Sequence, residues 1–378
     1  MKKQKIALFH PWIKSRGGAE GVVLKLAKDL NAQVHLYTWI YDKEKTFPEF
    51  KKLKIKVLSP KFFKKLSRTH FLRGIFLFLS FFSKIHLERY DKFLISTSGV
   101  GEFISFRNYK KGETYAYVHT PLREANEKIM EWNLENRHKT FLSRVFYLSA
   151  VKVYRFFEKM AWKRIDHIIF NSELSKQRAK EHNLIGNKEN YVIYPPVEIP
   201  KKSLIKKGNY FLYVSRINPP KRQKELIEAF NNFSKVHPEF RLILVGAADN
   251  EKYYNEIVRG IKGKNIEIRS NLSNEELGEL YSGSLAGVFV GYQEDFGIVP
   301  LEVIGRGKPL IAVDEGGFVD LIKDNPLFHK IKEKHSRKEM VREIGKELEN
   351  FINKKYPKSK KKIKLNDFIK EIEGVLRA

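Results

Sequence analysis

Short apolar runs alternate along the chain with segments whose apolar residues recur at helical spacing. The first run, Ile6–Phe9, is followed by a glycine turn and by Val22, Val23 and Leu26, which share one face of a helix. Further strand-like runs follow in the first half of the chain, at Ala32–Thr38, Ile55–Leu58, Lys92–Ser96, Tyr115–Val118, His167–Phe170 and Tyr191–Tyr194. This alternation predicts an α/β fold in which a parallel sheet carries helices on both faces.

The pattern pauses in a stretch that contains Pro195, Pro196, Pro200 and Gly208, a composition typical of a linker. The strand Tyr210–Val214 then opens a second series, which continues with four strand-plus-turn units in RLILVGAADN, IEIRSNLSNEEL, AGVFVGYQEDFG and KPLIAVDEGGF. The chain therefore repeats one α/β pattern twice.

A chain of 378 residues is too long for one ordinary core. We expect an N-terminal domain over residues 1–200 and a second domain over residues 201–360. Beyond Leu327 the pattern turns helical. We expect the last segment, residues 361–378, to form a helix that packs back on the N-terminal domain.

Two long apolar segments lie in the first domain. A helix is predicted over Val145–Arg164, and we expect its apolar residues to be core residues, namely Phe146, Tyr147, Val151, Tyr154, Phe157 and Met160. The second segment, residues 61–90, has an apolar run at Gly74–Phe82 that is far shorter than the ~20 residues of a membrane-spanning helix. Basic residues flank this run: Lys61, Lys64, Lys65, Arg68, Arg73 and Lys84. The segment is either a surface helix at an anionic membrane or a buried helix of the domain.

The formal net charge of +28 indicates an acidic partner, which can be an anionic lipid, a diphosphate-bearing substrate or a nucleic acid. The same lysine-rich balance would equally suit a thermophilic protein that uses charge for solvation and ion pairing. The chain has no cysteine, which fits a reducing cytosolic setting. Its N-terminus passes from lysines directly into a strand-like run, so we expect no signal peptide.

The stretch GYQEDFGIVPLEVIGRG, residues 291–307, contains the most informative chemistry. Gly297 permits a tight turn at a helix start, where unpaired amides attract anions, and Glu294 and Glu302 could accept hydrogen bonds from hydroxyls. Phosphate and hydroxyls together suggest a sugar nucleotide. Taken alone, the two glutamates are more simply a helix cap and a solvated side chain.

Topology adds further residues to this stretch. Because parallel strands deliver their following loops to one sheet edge, we expect Arg216, Lys221, Gly246 and Gly316 to converge with Glu294. Arg216 and Lys221 could then neutralise a diphosphate.

In the first domain, Gly17 and Gly18 form a turn whose amides could approach a ligand, although a plain strand-to-helix loop would look the same. His119 follows a predicted strand at a position that faces the ligand-binding edge of such sheets, although a lone histidine there is more often structural.

These motifs resemble those of the retaining family 4 glycosyltransferases, which have the GT-B fold of two Rossmann-like parallel-sheet domains facing a central cleft. EDFGIVPLE is similar to the E-x7-E element of that family, SRINPPKR to its basic diphosphate loop and DEGGFVDLI to its glycine-rich loop. RGGAEGVV is similar to its N-terminal glycine turn, and VHTPLRE resembles a motif frequent in its mannosyltransferases. The resemblance spans nearly the whole chain.

The resemblance implies a role for each candidate residue. Arg216 and Lys221 would bind the diphosphate, Glu302 the ribose and Glu294 the sugar, and His119 would contact the sugar near its reacting centre. Other donor-binding positions are Gly17, Gly18, Gly246, Phe296, Gly297, Ile298 and Val299. The implied enzyme has an acceptor-binding first domain and a donor-binding second domain, and it needs neither a metal nor another cofactor.

The implied substrates are a nucleotide sugar, GDP- or UDP-linked, and a lipid-linked or other glycan acceptor. VHTPLRE favours α-mannosyl transfer from GDP-mannose, at the cytoplasmic face of a membrane that the protein contacts peripherally. The alternatives are a UDP-sugar-dependent transferase for glucose, N-acetylglucosamine or galactose, a nucleotide-sugar epimerase, and a non-catalytic nucleic-acid-binding protein. We expect no nucleic-acid partner, because the lysines lack interleaved aromatic residues.

Some positions depart from the family pattern. Asp295 stands where glycine is usual, Gly305 and Arg306 replace a small alanine-containing pair, and the first turn ends in Gly21 where arginine is common. No Asp-x-Asp, GxxxxGK[ST], complete GxGxxG or HExxH motif occurs, which disfavours metal-assisted, ATP-hydrolysing and hydride-transfer mechanisms.

Overall fold

The computed structural model describes residues 3–60, 72–197, 199, 208–354 and 367–377. Lys61, Lys64, Lys65, Arg68 and Pro200, which entered the predictions above, lie outside these ranges. The chain divides into two compact units, an N-terminal unit of residues 1–196 with 366–378 and a C-terminal unit of residues 197–365. The boundary therefore falls after Pro196, within the proline-containing stretch.

The N-terminal unit is built on a parallel seven-stranded sheet of order β5-β3-β1-β6-β7-β8-β9. A separate parallel pair, β2 and β4, lies outside that sheet. The strands are β1 Lys5–Phe9, β2 Trp12–Ile13, β3 Gln33–Thr38, β4 Ile40–Tyr41, β5 Ile55–Val57, β6 Lys92–Thr97, β7 Thr114–Val118, β8 His167–Phe170 and β9 Glu189–Val192. All six runs predicted after Ile6–Phe9 overlap a strand.

Helices cover both faces of this sheet, as its strands show. In β1, Ile6 and Leu8 belong to one apolar cluster and Ala7 and Phe9 to another, so the strand is buried on both sides. Ser172 caps the fifth helix by accepting from the Ser175 amide, as predicted. The helices are α1 Gly18–Asp29, α2 Leu72–Phe82, α3 Glu127–Asn136, α4 Phe141–Trp162 and α5 Glu173–Glu181.

Helix α4 corrects one sequence prediction. Val151 is buried as expected, but Phe146 is 69% exposed and Met160 is 41% exposed, so these two residues are not core residues. The helix begins four residues earlier than predicted, and apolar side chains occupy its outer face as well as its inner one. Periodicity alone could not identify which apolar side chains meet the sheet.

Helix α2 also has two different faces. Phe76 and Leu79 are buried, whereas Phe78, Phe81 and Phe82 are exposed. The helix therefore combines a packed side with a solvent-facing aromatic side. Among the described residues, no helix is both long enough and apolar enough to cross a bilayer.

The C-terminal unit contains a parallel six-stranded sheet of order β12-β11-β10-β13-β14-β15. Its strands are β10 Tyr210–Val214, β11 Arg241–Val245, β12 Ile266–Arg269, β13 Ala286–Phe289, β14 Leu310–Val313 and β15 Phe328–Ile331. Its helices are α6 Gln223–Val236, α7 Glu251–Gly260, α8 Asn274–Gly283, α9 Ile298–Gly305, α10 Val319–Ile322 and α11 Arg337–Ile352.

The expectation that only helices follow Leu327 is wrong, because β15 begins at the next residue. Phe328 and Ile331 are buried, and the strand is held by parallel pairing with β14. Four residues between polar segments give too little periodicity to be recognised before that pairing is known.

The chain ends in helix α12, Phe368–Arg377, which belongs to the N-terminal unit. Phe368, Ile372, Val375 and Leu376 join the apolar cluster that also contains Ile6 and residues of α1. The last helix therefore completes the core of the unit in which the chain began.

Candidate active site

Four loops of the C-terminal unit carry most of the predicted site residues. Strands β11, β10, β13 and β14 lie side by side and parallel, so the loops that follow them leave at the same sheet edge. Arg216 and Lys221 follow β10, Gly246 follows β11, Glu294 follows β13 and Gly316 follows β14. The expected convergence of these residues on one sheet edge is therefore present.

The centre of this edge is an ion pair between Lys221 and Glu294. The two side chains are only 14% and 20% exposed, so solvent screens the pair little. The Lys221 ammonium also lies 5.3 Å from the centre of the Phe289 ring. The Glu294 carbonyl oxygen accepts from the Gly317 amide at 3.1 Å, which ties the loops after β13 and β14 together.

Two glycines close around Phe318 and position the start of α9. Gly297 has φ 88° and Gly316 has φ 136°, both in the region that favours glycine. A Cβ atom on either residue would come within 3.0 Å of the fully buried Phe318 ring, at 2.5 Å for Gly297 and 2.8 Å for Gly316. The turn thus starts α9 at Ile298, next to Glu294, and first-turn amides have no acceptor within their own helix.

Glu302 lies on α9 and is oriented by Tyr281. The Tyr281 hydroxyl donates to Glu302 Oε2 at 2.7 Å, and burial followed by the Glu302 charge raises the pKa of Tyr281 well above its ordinary value. Arg306, one of the departures from the family pattern, covers the Tyr281 ring at 4.1 Å and donates to the Glu302 carbonyl oxygen at 3.1 Å. Arg306 thus supports the side chain that orients Glu302.

Arg216 makes its ion pair with Asp249. Its Nη1 donates to Asp249 Oδ2 at 3.1 Å, and Asn218 donates to the same oxygen at 2.8 Å. The Arg216 side chain is 58% exposed, and an ion pair this exposed contributes at most about 1 kcal/mol. An anionic ligand could therefore displace Asp249 at little cost. The Gly246 amide is used within the sheet, where it donates to the Arg269 carbonyl oxygen at 2.9 Å.

The sequence analysis missed Arg222, the neighbour of Lys221. Arg222 is buried, has φ 54° and grips Glu333 with two hydrogen bonds of 2.7 and 2.6 Å. Burial would lower its pKa, but these bonds to Glu333 raise it instead. Its guanidinium also lies 4.6 Å from the Tyr292 ring centre. The sequence signal for Arg222 was its place beside Lys221 in a pair of basic residues. Arg222 fixes the turn that presents Lys221.

In the N-terminal unit, the glycine turn is already close to a carboxylate. A Cβ atom on Gly17 would come within 2.5 Å of Glu20 Oε2, and the Ser15 hydroxyl donates to Glu20 Oε1 at 2.5 Å. Gly18 is the first residue of α1. The side chain of Glu20 thus occupies the space beside the turn where a ligand was expected, and an anionic ligand would have to compete with it.

His119 is the end of a buried hydrogen-bond chain at the edge of the N-terminal sheet. Ser96 Oγ lies 2.9 Å from His119 Nε2 and 3.0 Å from His10 Nδ1, and His10 Nδ1 also lies 3.3 Å from the Ser96 carbonyl oxygen. A carbonyl oxygen only accepts, so His10 carries its proton on Nδ1. We infer that the Ser96 hydroxyl donates to His119 Nε2, which places the His119 proton on Nδ1.

Burial keeps both rings neutral. It lowers the pKa of His119 to about 3, with a smaller contribution from His10, and it lowers the pKa of His10 to about 4. His119 is therefore a neutral hydrogen-bond donor at physiological pH and carries no positive charge.

The loop after His119 is held by α4. Glu158 accepts from the Leu122 amide at 2.8 Å, and Arg155 donates to the Ala125 carbonyl oxygen. Burial, together with the charge of Glu102, raises the pKa of Glu158 to about 8. A buried carboxyl group thus anchors the VHTPLRE segment.

Within the described ranges, no group of three or more His, Asp or Glu side chains is arranged to hold a metal ion. The candidate site in the C-terminal unit contains a lysine, carboxylates and the start of a helix. These groups suit an anionic, hydroxyl-rich ligand.

Comparison with known proteins agrees with this chemistry. Residues 197–364 match the family model of glycosyl transferases group 1. The chain is 24% identical to an alpha-1,3/1,6-mannosyltransferase, ALG2, of Yarrowia lipolytica, over 85% of this chain and 79% of that protein.

Solved structures share the fold. The glycosyltransferase WaaG, involved in lipopolysaccharide biosynthesis, superimposes with a TM-score of 0.66 at 18% identity, covering 91% of this chain and 90% of that one. Anabaena HepE in complex with UDP-glucose superimposes with a TM-score of 0.64 at 16% identity, covering 99% of both chains. The predicted GT-B fold is confirmed.

Proposed function

Because the chain is a glycosyltransferase of the GT-B fold whose C-terminal unit is a glycosyl transferases group 1 domain, we propose that it is a retaining α-mannosyltransferase that uses GDP-mannose. The VHTPLRE segment and the similarity to an alpha-1,3/1,6-mannosyltransferase support mannose as the sugar. The acceptor in this proposal is a lipid-linked or similar glycan at the cytoplasmic face of a membrane.

The observation that carries the proposal is the Lys221–Glu294 pair beside the start of α9. Before the donor binds, the two side chains neutralise each other. A bound diphosphate would take over Lys221, whose positive charge then stabilises the negative charge that grows on the leaving phosphate. Glu294, released from Lys221, would accept hydrogen bonds from sugar hydroxyls.

In the proposed reaction, the acceptor hydroxyl attacks the anomeric carbon from the face that the phosphate leaves. The bond from that carbon to the phosphate oxygen breaks, a bond to the acceptor oxygen forms, and the leaving phosphate takes the acceptor proton. The configuration is retained without an enzyme base. Glu302 is proposed to bind the ribose hydroxyls, Arg216 the diphosphate and His119 the sugar, and no resident metal is required.

The donor is tested by measuring binding and hydrolysis of GDP-mannose, UDP-glucose, UDP-N-acetylglucosamine and UDP-galactose. We expect GDP-mannose to raise the melting temperature most and to be hydrolysed fastest. NMR of the transfer product should show an α-mannoside. Preference for a UDP-sugar would replace mannose with another hexose, and an inverted product would contradict the retaining mechanism.

The site is tested with Glu294→Gln and Lys221→Ala. Each variant should lose transfer at least about a hundredfold, because each removes a group that acts in the transition state. Glu256→Gln is the matched control, since Glu256 forms an ion pair with Lys224 elsewhere in the same unit. Near-normal turnover in Glu294→Gln or Lys221→Ala, with folding verified by circular dichroism, would refute the site assignment.

A further inference from the structure

A groove runs between helices α6 and α11 of the C-terminal unit, with a volume of about 500 Å³. Its apolar lining consists of Ala229, Phe233, Val341 and Gly345. The first three belong to the core cluster of this unit, so they form a fixed floor. Because β10 and β11 are parallel, α6 starts at the sheet edge that carries the candidate active site and leads to the opposite edge. The groove meets α6 from its middle onward and thus lies away from that site.

Gly345 stands in the middle of α11, where glycine is among the least favourable residues for a helix. A Cβ atom on Gly345 would meet nothing within 4 Å beyond its own stretch of helix. The packing of the described residues therefore leaves room for a side chain at this position. Without one, the backbone of a partner can approach α11 closely, as packed helices do at about 8–10 Å between their axes.

One edge of the groove is basic. Lys338, Arg342 and Lys346 recur every four residues along α11, so they form one stripe beside the apolar floor. All three are exposed, and none of them forms an ion pair with another described residue. Glu349, which also lines the groove, has its Oε2 atom 2.9 Å from His237 Nε2. The groove thus combines three unpaired cations with an apolar floor.

We propose that the groove binds an amphipathic helix of another protein whose polar edge is acidic. Apolar side chains of that helix would pack on Phe233 and Val341. Carboxylates spaced by four residues would meet Lys338, Arg342 and Lys346, because four residues advance either helix by roughly 6 Å. This inference concerns a partner protein and does not depend on the sugar or the acceptor of the proposed function.

Other occupants fit the groove less well. Phe233 is 3% exposed and Val341 is 8% exposed, so neither side chain can enter a lipid bilayer. A second copy of the chain carries a net charge of +28, which a basic edge repels, and the lysine-rich run at 354–364 has the same sign of charge. A nucleic acid would pair with the basic stripe but leave the apolar floor uncovered.

The probe is a synthetic peptide of 16 residues, the length of α11, with leucines along one helical face and glutamates every four residues beside them. Fluorescence anisotropy measures its binding to the full chain. Wild type should bind this acidic peptide at least about tenfold more tightly than the same peptide with lysines in place of the glutamates. The affinity should fall as salt is raised, because the charged edges stay partly exposed to solvent.

Two kinds of variant test the edge and the floor separately. Arg342→Glu with Lys346→Glu should weaken binding of the acidic peptide at least about tenfold, and it should bind the lysine peptide more tightly than wild type does. Gly345→Phe should weaken binding of the acidic peptide by a similar factor, because the new ring fills the groove without changing any charge.

Each variant has a matched control in the N-terminal unit. Lys52→Glu with Lys54→Glu makes the same change in net charge at exposed positions. Gly374→Phe alters a glycine of α12 whose Cβ atom would also meet nothing within 4 Å. Both controls should bind the acidic peptide like wild type, and circular dichroism should show that all the variants are folded.

Four results would overturn the proposal. Wild type could bind the two peptides equally, or Gly345→Phe could bind the acidic peptide as tightly as wild type. Equal weakening by Lys52→Glu with Lys54→Glu would show that overall charge, rather than the groove, attracts the peptide. A wild-type chain that bound a DNA duplex through Arg342 and Lys346, but not the acidic peptide, would assign the basic stripe to a nucleic acid.

Discussion

At the scale of single residues, the site of the C-terminal unit contains charges that are already paired. Lys221 is paired with Glu294, Arg216 with Asp249 and Arg222 with Glu333. The Arg216–Asp249 pair opens more easily than the Arg222–Glu333 pair, since Arg222 is buried and held by two bonds while Arg216 is largely exposed. If Lys221 and Arg216 bind the diphosphate as proposed, donor binding would exchange their carboxylate partners for phosphate while Arg222 keeps the turn fixed.

Ser96 is predicted to set the tautomer of His119. In Ser96→Ala, His119 Nε2 loses its donor, so the proton is no longer restricted to Nδ1. We expect kcat for transfer to fall by about tenfold, with a smaller change in KM, because roughly one hydrogen bond of orientation is lost. Nitrogen NMR of the histidines should show a mixture of tautomers in place of one.

Ser105→Ala is the control for this effect. Ser105 is also buried in the N-terminal unit, and its hydroxyl donates to the Ala161 carbonyl oxygen at 3.1 Å, away from His119. This variant should leave the tautomer signal and kcat unchanged. An unaltered His119 signal in Ser96→Ala would show that Ser96 does not set the tautomer.

At the scale of elements, the sequence predicted strands better than surfaces. β1, β10 and their neighbours were recognisable because fully buried strands are short continuous apolar runs. β15 was not recognisable, because only its pairing with β14 makes its four residues a strand. Phe146 and Met160 of α4 are exposed although the sequence predicted them to be core, since an apolar helix looks the same whether one or both faces are covered.

The candidate site shows the same limit. Parallel topology predicted which loops meet at the sheet edge, and this placed Lys221 and Glu294 together. It could not predict that Arg222 bonds Glu333, 111 positions away in the chain, or that Tyr281 orients Glu302. Such pairs depend on side-chain geometry, which has no periodic signature.

Helix α4 is predicted to make the stability of the N-terminal unit depend on pH. The folded state holds the Glu158 proton up to a pKa of about 8, whereas the ordinary pKa of a glutamate is 4.5. The folded state therefore binds more protons than the unfolded state between these values, and the contribution of Glu158 to stability falls as pH rises through that window. Glu158→Gln keeps an acceptor for the Leu122 amide without the buried charge.

Thermal unfolding at pH 5 and pH 8 tests this prediction. The free energy of unfolding of Glu158→Gln, relative to that of wild type, should increase by at least about 1 kcal/mol between pH 5 and pH 8. The lowered pKa values of His10 and His119 give the opposite trend, because they make the folded state less stable as pH falls. This effect is present in both proteins and cancels in the comparison. Glu135→Gln, an exposed change in α3, should show no such gain. A constant difference between the proteins at both pH values would contradict the prediction.

At the scale of the whole molecule, the N-terminal unit is discontinuous in sequence. The chain leaves this unit after Pro196 and returns to it at Asn366. The returning helix α12 contributes four buried side chains to the core around β1 and α1. The second α/β unit is therefore an insertion, in sequence, between the body of the first unit and one of its own core helices. The N-terminal unit can complete its core only after α12 has been made.

Ile372→Ala should therefore destabilise the N-terminal unit, although this residue lies only six positions from the end of the chain. Ile372 is fully buried, and removing its side chain should cost about 2–5 kcal/mol through lost burial and the cavity that remains. Urea denaturation followed by near-ultraviolet circular dichroism measures this cost. Lys370→Ala, an exposed change on the same helix, should cost less than about 0.5 kcal/mol. If both variants had the same urea midpoint of unfolding as wild type, α12 would not be part of the core of the N-terminal unit.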